Sequence, residues 1–152
     1  MNGPRFTTAS ITGTALLLAL GVALPLVFHA FPLGGRIFLP MHIPTFVAGL
    51  VLGPLAGLIV GAGSPVVSGL ITGRPTVFYM VPMVFELATY GLVAGLVRPR
   101  IEAALSRWGP PRSYGAPKRS ASGVLLSLIT AMLAGRVVWL LTVVWLAPFV
   151  GI

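Results

Sequence analysis

The sequence has 152 residues, of which 57% are hydrophobic and only 8% are charged. Soluble domains carry about 25% charged residues, so most of this surface must face lipid instead of water. Cysteine is absent, which excludes disulfides and thiolate metal sites.

Five apolar segments follow one another along the chain, and each predicts a transmembrane helix. A helix needs about 20 residues to cross a hydrocarbon core of about 30 Å. The second segment is short and interrupted by proline, so it must be supported by packing against the neighbouring helices. Strands are disfavoured because the runs are apolar on all sides, whereas barrel strands alternate with period two. The predicted spans are 11–31, 37–52, 54–72, 76–97 and 123–150.

These spans predict an all-α membrane protein, a compact polytopic bundle that forms a single domain over residues 1–152. The first segment is interpreted as a retained span and not a cleaved signal, because the large Phe28 stands where a cleavage site needs a small residue.

The basic residues predict the topology of the bundle. Net charge is +8, which could indicate nucleic-acid binding, but six of the ten basic residues fall in the loop predicted at 98–121. Short basic loops mark the cytoplasmic side. The N-terminus is therefore predicted inside, the connections 31–41 and 72–76 outside, and the C-terminus outside. The stretch "RPRIEAALSRW" at the start of the loop could form a short interfacial helix.

Small residues recur every four positions, a spacing that lets helix backbones approach closely. For most of the glycines, packing inside the bundle is the favoured interpretation. They are Gly49, Gly53, Gly57 and Gly61, with the pairs Gly69 and Gly73, and Gly91 and Gly95. An alanine stripe on the first span could equally face another protein. It consists of Ala15, Ala19 and Ala23.

Two charges lie inside predicted spans, where an ionisable residue costs a few kcal/mol on insertion scales. Glu86 and Arg136 fall at similar depth, near mid-membrane, on the fourth and fifth spans. The simplest hypothesis is an ion pair, and the alternative is a direct ligand role for at least one of them.

Other polar residues gather at the predicted outer face. Arg36 and Arg74 each follow a glycine, and either alone would be interpreted as a snorkelling arginine. Together with His42, Tyr79 and Glu86 they indicate the rim of a polar pocket, and arginines there suggest a ligand bearing carboxylate or phosphate. Pro40 and Pro44 bracket His42 and are expected to free backbone groups where the helix lines a cavity.

Catalytic chemistry is not indicated. Two acidic residues leave almost no room for paired-carboxylate catalysis, and two histidines do not make a metal site without further ligands. There is no phosphate-binding loop. The sequence therefore predicts binding without conversion, with no enzyme activity, no cofactor and no metal.

Four motifs together resemble the substrate-binding S components of energy-coupling factor (ECF) transporters. They are "PMHIP", "GLVLGPLAGLIVG", "ELATYGLVAGL" and "AGR", and the resemblance covers about residues 10–145. It implies a small bundle, usually of six helices, in a prokaryotic plasma membrane. Five are found here, so the sequence is truncated, a partner supplies the missing surface, or this is a five-helix variant.

The resemblance also implies function and partners. S components bind a vitamin or related micronutrient from outside and associate with a membrane coupling subunit and two ATP-hydrolysing subunits. The family's alanine stripe contacts the coupling subunit, and Ala15, Ala19 and Ala23 match it. The connections at 31–41 and 72–79 would cap the pocket, and the whole subunit would tilt in the membrane to deliver its ligand.

The predicted substrate site combines the polar residues of the outer face with the charges of the two spans, and Trp139 is expected to supply a stacking surface. Two rival functions remain open: a structural or assembly subunit of a membrane complex, and a small solitary carrier acting as an oligomer. The candidate substrate-binding residues are Arg36, His42, Arg74, Tyr79, Glu86, Tyr90, Arg136 and Trp139.

Overall fold

A computed structural model describes residues 7–29, 40–73, 75–108 and 121–150 of the chain. Within this part every regular element is helical, and four helices are long and apolar enough to cross a membrane. The predicted all-α bundle is thus confirmed. The helices are α1 (Thr8–His29), α2 (His42–Leu52), α3 (Pro54–Thr72), α4 (Val77–Trp108) and α5 (Ala121–Val150).

The short helix α2 has two parts, an α-helical turn and a half over His42–Val47 and a wider π-helical turn over Ala48–Leu52. At about 17 Å it reaches only about half-way across a hydrocarbon core. It packs against α1, α3 and α4, which bury one side of it, while Ile43, Val47 and Val51 on the other side are exposed.

Pro44 lies in the first turn of α2 and does not interrupt the helix. It is the third helical residue, and N–H groups in the first turn have no partner within a helix in any case. Pro40 lies in the turn ahead of the helix. The expectation that Pro44 frees backbone groups is therefore wrong, and the widened backbone lies one turn later, at Ala48–Leu52.

The chain reverses between α2 and α3 at Gly53. Its φ of +106° lies in a region that residues with a side chain rarely adopt. Its N–H donates to the Ala48 carbonyl at 3.1 Å. Pro54 follows as the first residue of α3, where its missing N–H costs nothing. This turn separates the two spans that the sequence predicts at 37–52 and 54–72.

Helices α2, α3 and α4 meet through their backbones. A Cβ atom added to Gly49 or Gly57 would collide with the carbonyl group of Gly91, and one added to Gly61 would collide with the carbonyl of Leu87. Such close approach is what small residues permit between membrane helices. The prediction that these glycines pack inside the bundle is confirmed.

Helix α4 is longer than its apolar segment. It continues to Trp108, where the sequence predicted a loop from residue 98 with a short helix as the alternative. Arg98, where the extension begins, contacts both the extension and α2. Its Nε donates to Glu102 Oε1 at 3.1 Å, and its Nη1 donates to the Leu50 carbonyl. The membrane boundary near residue 97 stays a prediction.

Candidate functional site

A charged and hydrogen-bonded cluster joins α4 to α5. Glu86 and Tyr90 lie four residues apart on α4, which places both on one face of the helix. The Tyr90 hydroxyl donates to Glu86 Oε1 at 2.6 Å. Arg136 Nη1, from α5, lies 3.1 Å from the same oxygen. The ion pair predicted from depth alone is therefore present, and a single carboxylate oxygen receives both donors.

The members of this cluster differ in access to their surroundings. The Glu86 side chain is 7% exposed and the Arg136 side chain 51% exposed, while Tyr90 is fully buried. A buried carboxylate is tolerated only when a positive charge and hydrogen bonds compensate it. Arg136 and Tyr90 supply both. The Glu86 carboxylate is thus buried inside the bundle, and the Arg136 guanidinium is the exposed side of the ion pair.

Gly135 provides the space for this arrangement. A Cβ atom at that position would fall on the ring of Tyr90 and would lie 3.1 Å from the backbone oxygen of Glu86. In "AGR", then, the glycine admits the tyrosine ring and the arginine pairs with the acid. The motif carries part of the family resemblance, but the contribution of Gly135 to the site was not predicted.

Helix α2 adds an aromatic group next to the cluster. The His42 ring centroid lies 5.1 Å from that of Tyr90, and Phe46 lies 5.3 Å from Tyr90. Met41 and Leu87 complete the buried core around Tyr90. Phe46 was not predicted, although its spacing of four residues from His42 puts the two rings on one face of α2.

Of the four remaining predicted site residues, Tyr79 and Trp139 are the two that the structure describes. Tyr79 is 74% exposed in the first turn of α4, about 10 Å along the helix from Glu86. Trp139 is half-buried one turn after Arg136, and its stacking role stays a prediction. Arg36 and Arg74 lie outside the described residues, as does most of the outer connection at 31–41.

The alanine stripe of α1 lies on an open face. Ala15, Ala19 and Ala23 are all exposed, because α1 packs its other side against α2 and α3. Gly21 lies on that packed side, where a Cβ atom would meet the Ser64 side chain. The stripe is thus accessible to another protein, and its partner stays a prediction.

Comparison with protein families gives one match. The model of the family described as "ECF transporter, substrate-specific component" covers residues 9–152. The chain belongs to this family. It is an S component, a multi-pass membrane protein of a family that works with energy-coupling subunits and a small-molecule substrate. Searches of curated proteins and of solved structures give no match.

Proposed function

We propose that this S component captures a vitamin or related micronutrient from outside the cell and delivers it for ATP-driven import. The observation that carries the proposal is the cluster of Glu86, Tyr90 and Arg136 beside the His42 ring. Binding pockets for small molecules combine apolar walls with a few placed polar groups. The aromatic group of α2 and the charged groups of α4 and α5 supply both.

The energetic cost of these charges supports a functional role. Placing an Arg or an Asp at the centre of a membrane helix costs about 2.5–3.5 kcal/mol on insertion scales. The sequence has only two acidic residues, and one of them lies here. The glycines of α2, α3 and α4 show that helices of this bundle also pack closely without charge.

The proposed partners are a membrane coupling subunit and two ATP-hydrolysing subunits. The exposed Ala15, Ala19 and Ala23 offer a flat surface on which a helix of the coupling subunit can approach closely. In this proposal the S component is not an enzyme and hydrolyses no ATP itself. It lies in a prokaryotic plasma membrane with its N-terminus in the cytoplasm.

The test combines ligand identification with transport. The S component is purified in lipid nanodiscs, and native mass spectrometry identifies any small molecule it retains. Uptake of that molecule is then measured in cells with and without the coupling and ATPase subunits. Retention with ATPase-dependent uptake supports the proposal. Uptake without those subunits would favour a solitary carrier, and neither binding nor uptake would favour a structural subunit.

A further inference from the structure

The open side of the Glu86–Arg136 pair carries positive charge. Arginine has five N–H donors, and the contact with Glu86 Oε1 engages Nη1. The carboxylate is sealed beneath Tyr90 and Arg136, whereas the guanidinium is half exposed. A molecule that approaches the pair therefore meets hydrogen-bond donors and a cation, and does not reach the acid.

The depth of Arg136 makes this exposure costly. Arg136 lies in the middle of α5 (Ala121–Val150), about 20 Å from either end of the helix. The depth predicted from the sequence, near mid-membrane, places Arg136 about 15 Å from either edge of the hydrocarbon core. In hydrocarbon a guanidinium requires polar or anionic partners. Glu86 already balances the charge of Arg136, so what the exposed half of Arg136 needs is an acceptor for its remaining N–H donors.

The chain has no second carboxylate side chain to offer. Its two acidic residues are Glu86 and Glu102, and Glu102 is paired with Arg98 at 3.1 Å. Glu102 also lies four turns further along α4, about 24 Å from Glu86. An anionic acceptor for these remaining donors must therefore come from another molecule.

We infer that Arg136 receives the carboxylate, or a chemically similar oxyanion, of a small-molecule substrate. Arginine is suited to this because its planar guanidinium binds carboxylates and phosphates through paired, charge-assisted hydrogen bonds. The inference rests on the proposed function and narrows it to the acidic members of the micronutrient class. Glu86 then acts as a positioning residue that orients Arg136 and does not touch the substrate.

The test uses pairs of probes that differ in one group. Binding to the S component in nanodiscs is measured for vitamin carboxylates and their neutral analogues: nicotinate and nicotinamide, biotin and biotinamide, pantothenate and pantothenol. We expect one acid to bind at least tenfold more tightly than its neutral analogue. Arg136→Gln should abolish that preference, Arg136→Lys should retain part of it, and Glu86→Gln should keep it.

Arg100→Gln is the matched control, because it removes an exposed arginine at the far end of α4 and should leave the preference unchanged. Equal binding of acid and neutral analogue, or a preference that survives in Arg136→Gln, would overturn the inference. If no probe binds, the co-purified molecule decides: an acid supports the inference and a neutral or cationic molecule refutes it.

The two proposals fail in distinguishable ways. A neutral molecule that is retained and imported with ATPase dependence leaves the proposed function intact and removes only the role of Arg136 in anion binding. Absence of retained ligand, probe binding and uptake together removes the proposed function, and the inference fails with it.

Discussion

At the residue scale the site depends on one oxygen atom. Glu86 Oε1 accepts the Tyr90 hydroxyl at 2.6 Å and lies 3.1 Å from Arg136 Nη1. Each donor lowers the cost of keeping a carboxylate inside the bundle, since a buried charge without partners is strongly destabilising. Both donors should therefore affect stability as well as binding.

Replacing Tyr90 with phenylalanine should lower stability by about 1.5–3 kcal/mol, the range for hydrogen bonds to charged groups. The ring packing against His42 and Phe46 is retained, so the loss reports the hydroxyl alone. The measurement is the unfolding midpoint in detergent. Tyr79→Phe is the control, because the Tyr79 side chain is exposed. Equal midpoints for the two variants would contradict this expectation.

The pair of Glu86 and Arg136 is tested by a double-mutant cycle with Glu86→Gln and Arg136→Gln. Breaking the pair from either side leaves the other charge uncompensated. The double variant should therefore be less damaged than the sum of the single ones, with a coupling energy of about 0.5–3 kcal/mol. Unfolding midpoints of the four proteins give this energy, and additive losses would mean that the two groups do not interact.

The sequence predicted some residues of the site and missed others, and the difference lies in residue type. Glu86 and Arg136 were recognisable because charges are rare within apolar spans, and counting residues from the span ends placed them at one depth. Phe46 and Gly135 were missed because phenylalanine and glycine are common here, with 8 and 19 copies. Nothing local distinguishes the one glycine that faces Tyr90 from those that line other helices.

At the element scale the firmest contacts are those between backbones. The glycines of α2 and α3 face the Gly91 carbonyl of α4, and no side chain separates the helices there. The periodic spacing of small residues predicted this contact. It did not predict the π-helical turn of α2, which depends on how the three helices fit together. The continuation of α4 to Trp108 was also missed, although Ala, Leu, Glu and Arg in that stretch are good helix formers.

Gly91→Ala should separate α4 from α2 and α3, because the added methyl group would meet the Gly57 main chain. Overpacking of this kind costs about 1–3 kcal/mol or more. Gly63→Ala is the matched control, since its methyl group would meet only the tip of the flexible Leu18 side chain. Unfolding midpoints in detergent compare the two, and a larger loss in Gly63→Ala would contradict the backbone contact.

At the scale of the whole molecule, two faces of the bundle have different expected roles. The face of α1 with the alanine stripe is exposed, and the face of α5 beyond Arg136 exposes large apolar side chains such as Val144, which is 70% exposed. The first is suited to close contact with another helix. The second is covered by bulky residues of the kind that face lipid.

Ala19→Phe should weaken assembly with the coupling subunit and leave ligand binding unchanged, because the side chain points away from the packed side of α1. Co-purification with the coupling subunit and ATPase-dependent uptake measure the first effect, and ligand titration of the isolated S component measures the second. Val144→Phe, on the exposed face of α5, should alter neither. A parallel loss of ligand binding in Ala19→Phe would place the stripe inside the fold.

The backbone contact at Gly91 also bears on how such a protein can change over generations. Tyr90, its neighbour in sequence, reaches the polar cluster, while Gly91 meets the main chain of α2 and α3. The fit between the helices thus depends on contact between main-chain atoms and on the absence of a side chain at these glycines. Under the proposed function, substitutions in the polar cluster would alter which molecule is recognised, while the glycine contact would preserve the scaffold, so that new specificity would arise without a new fold.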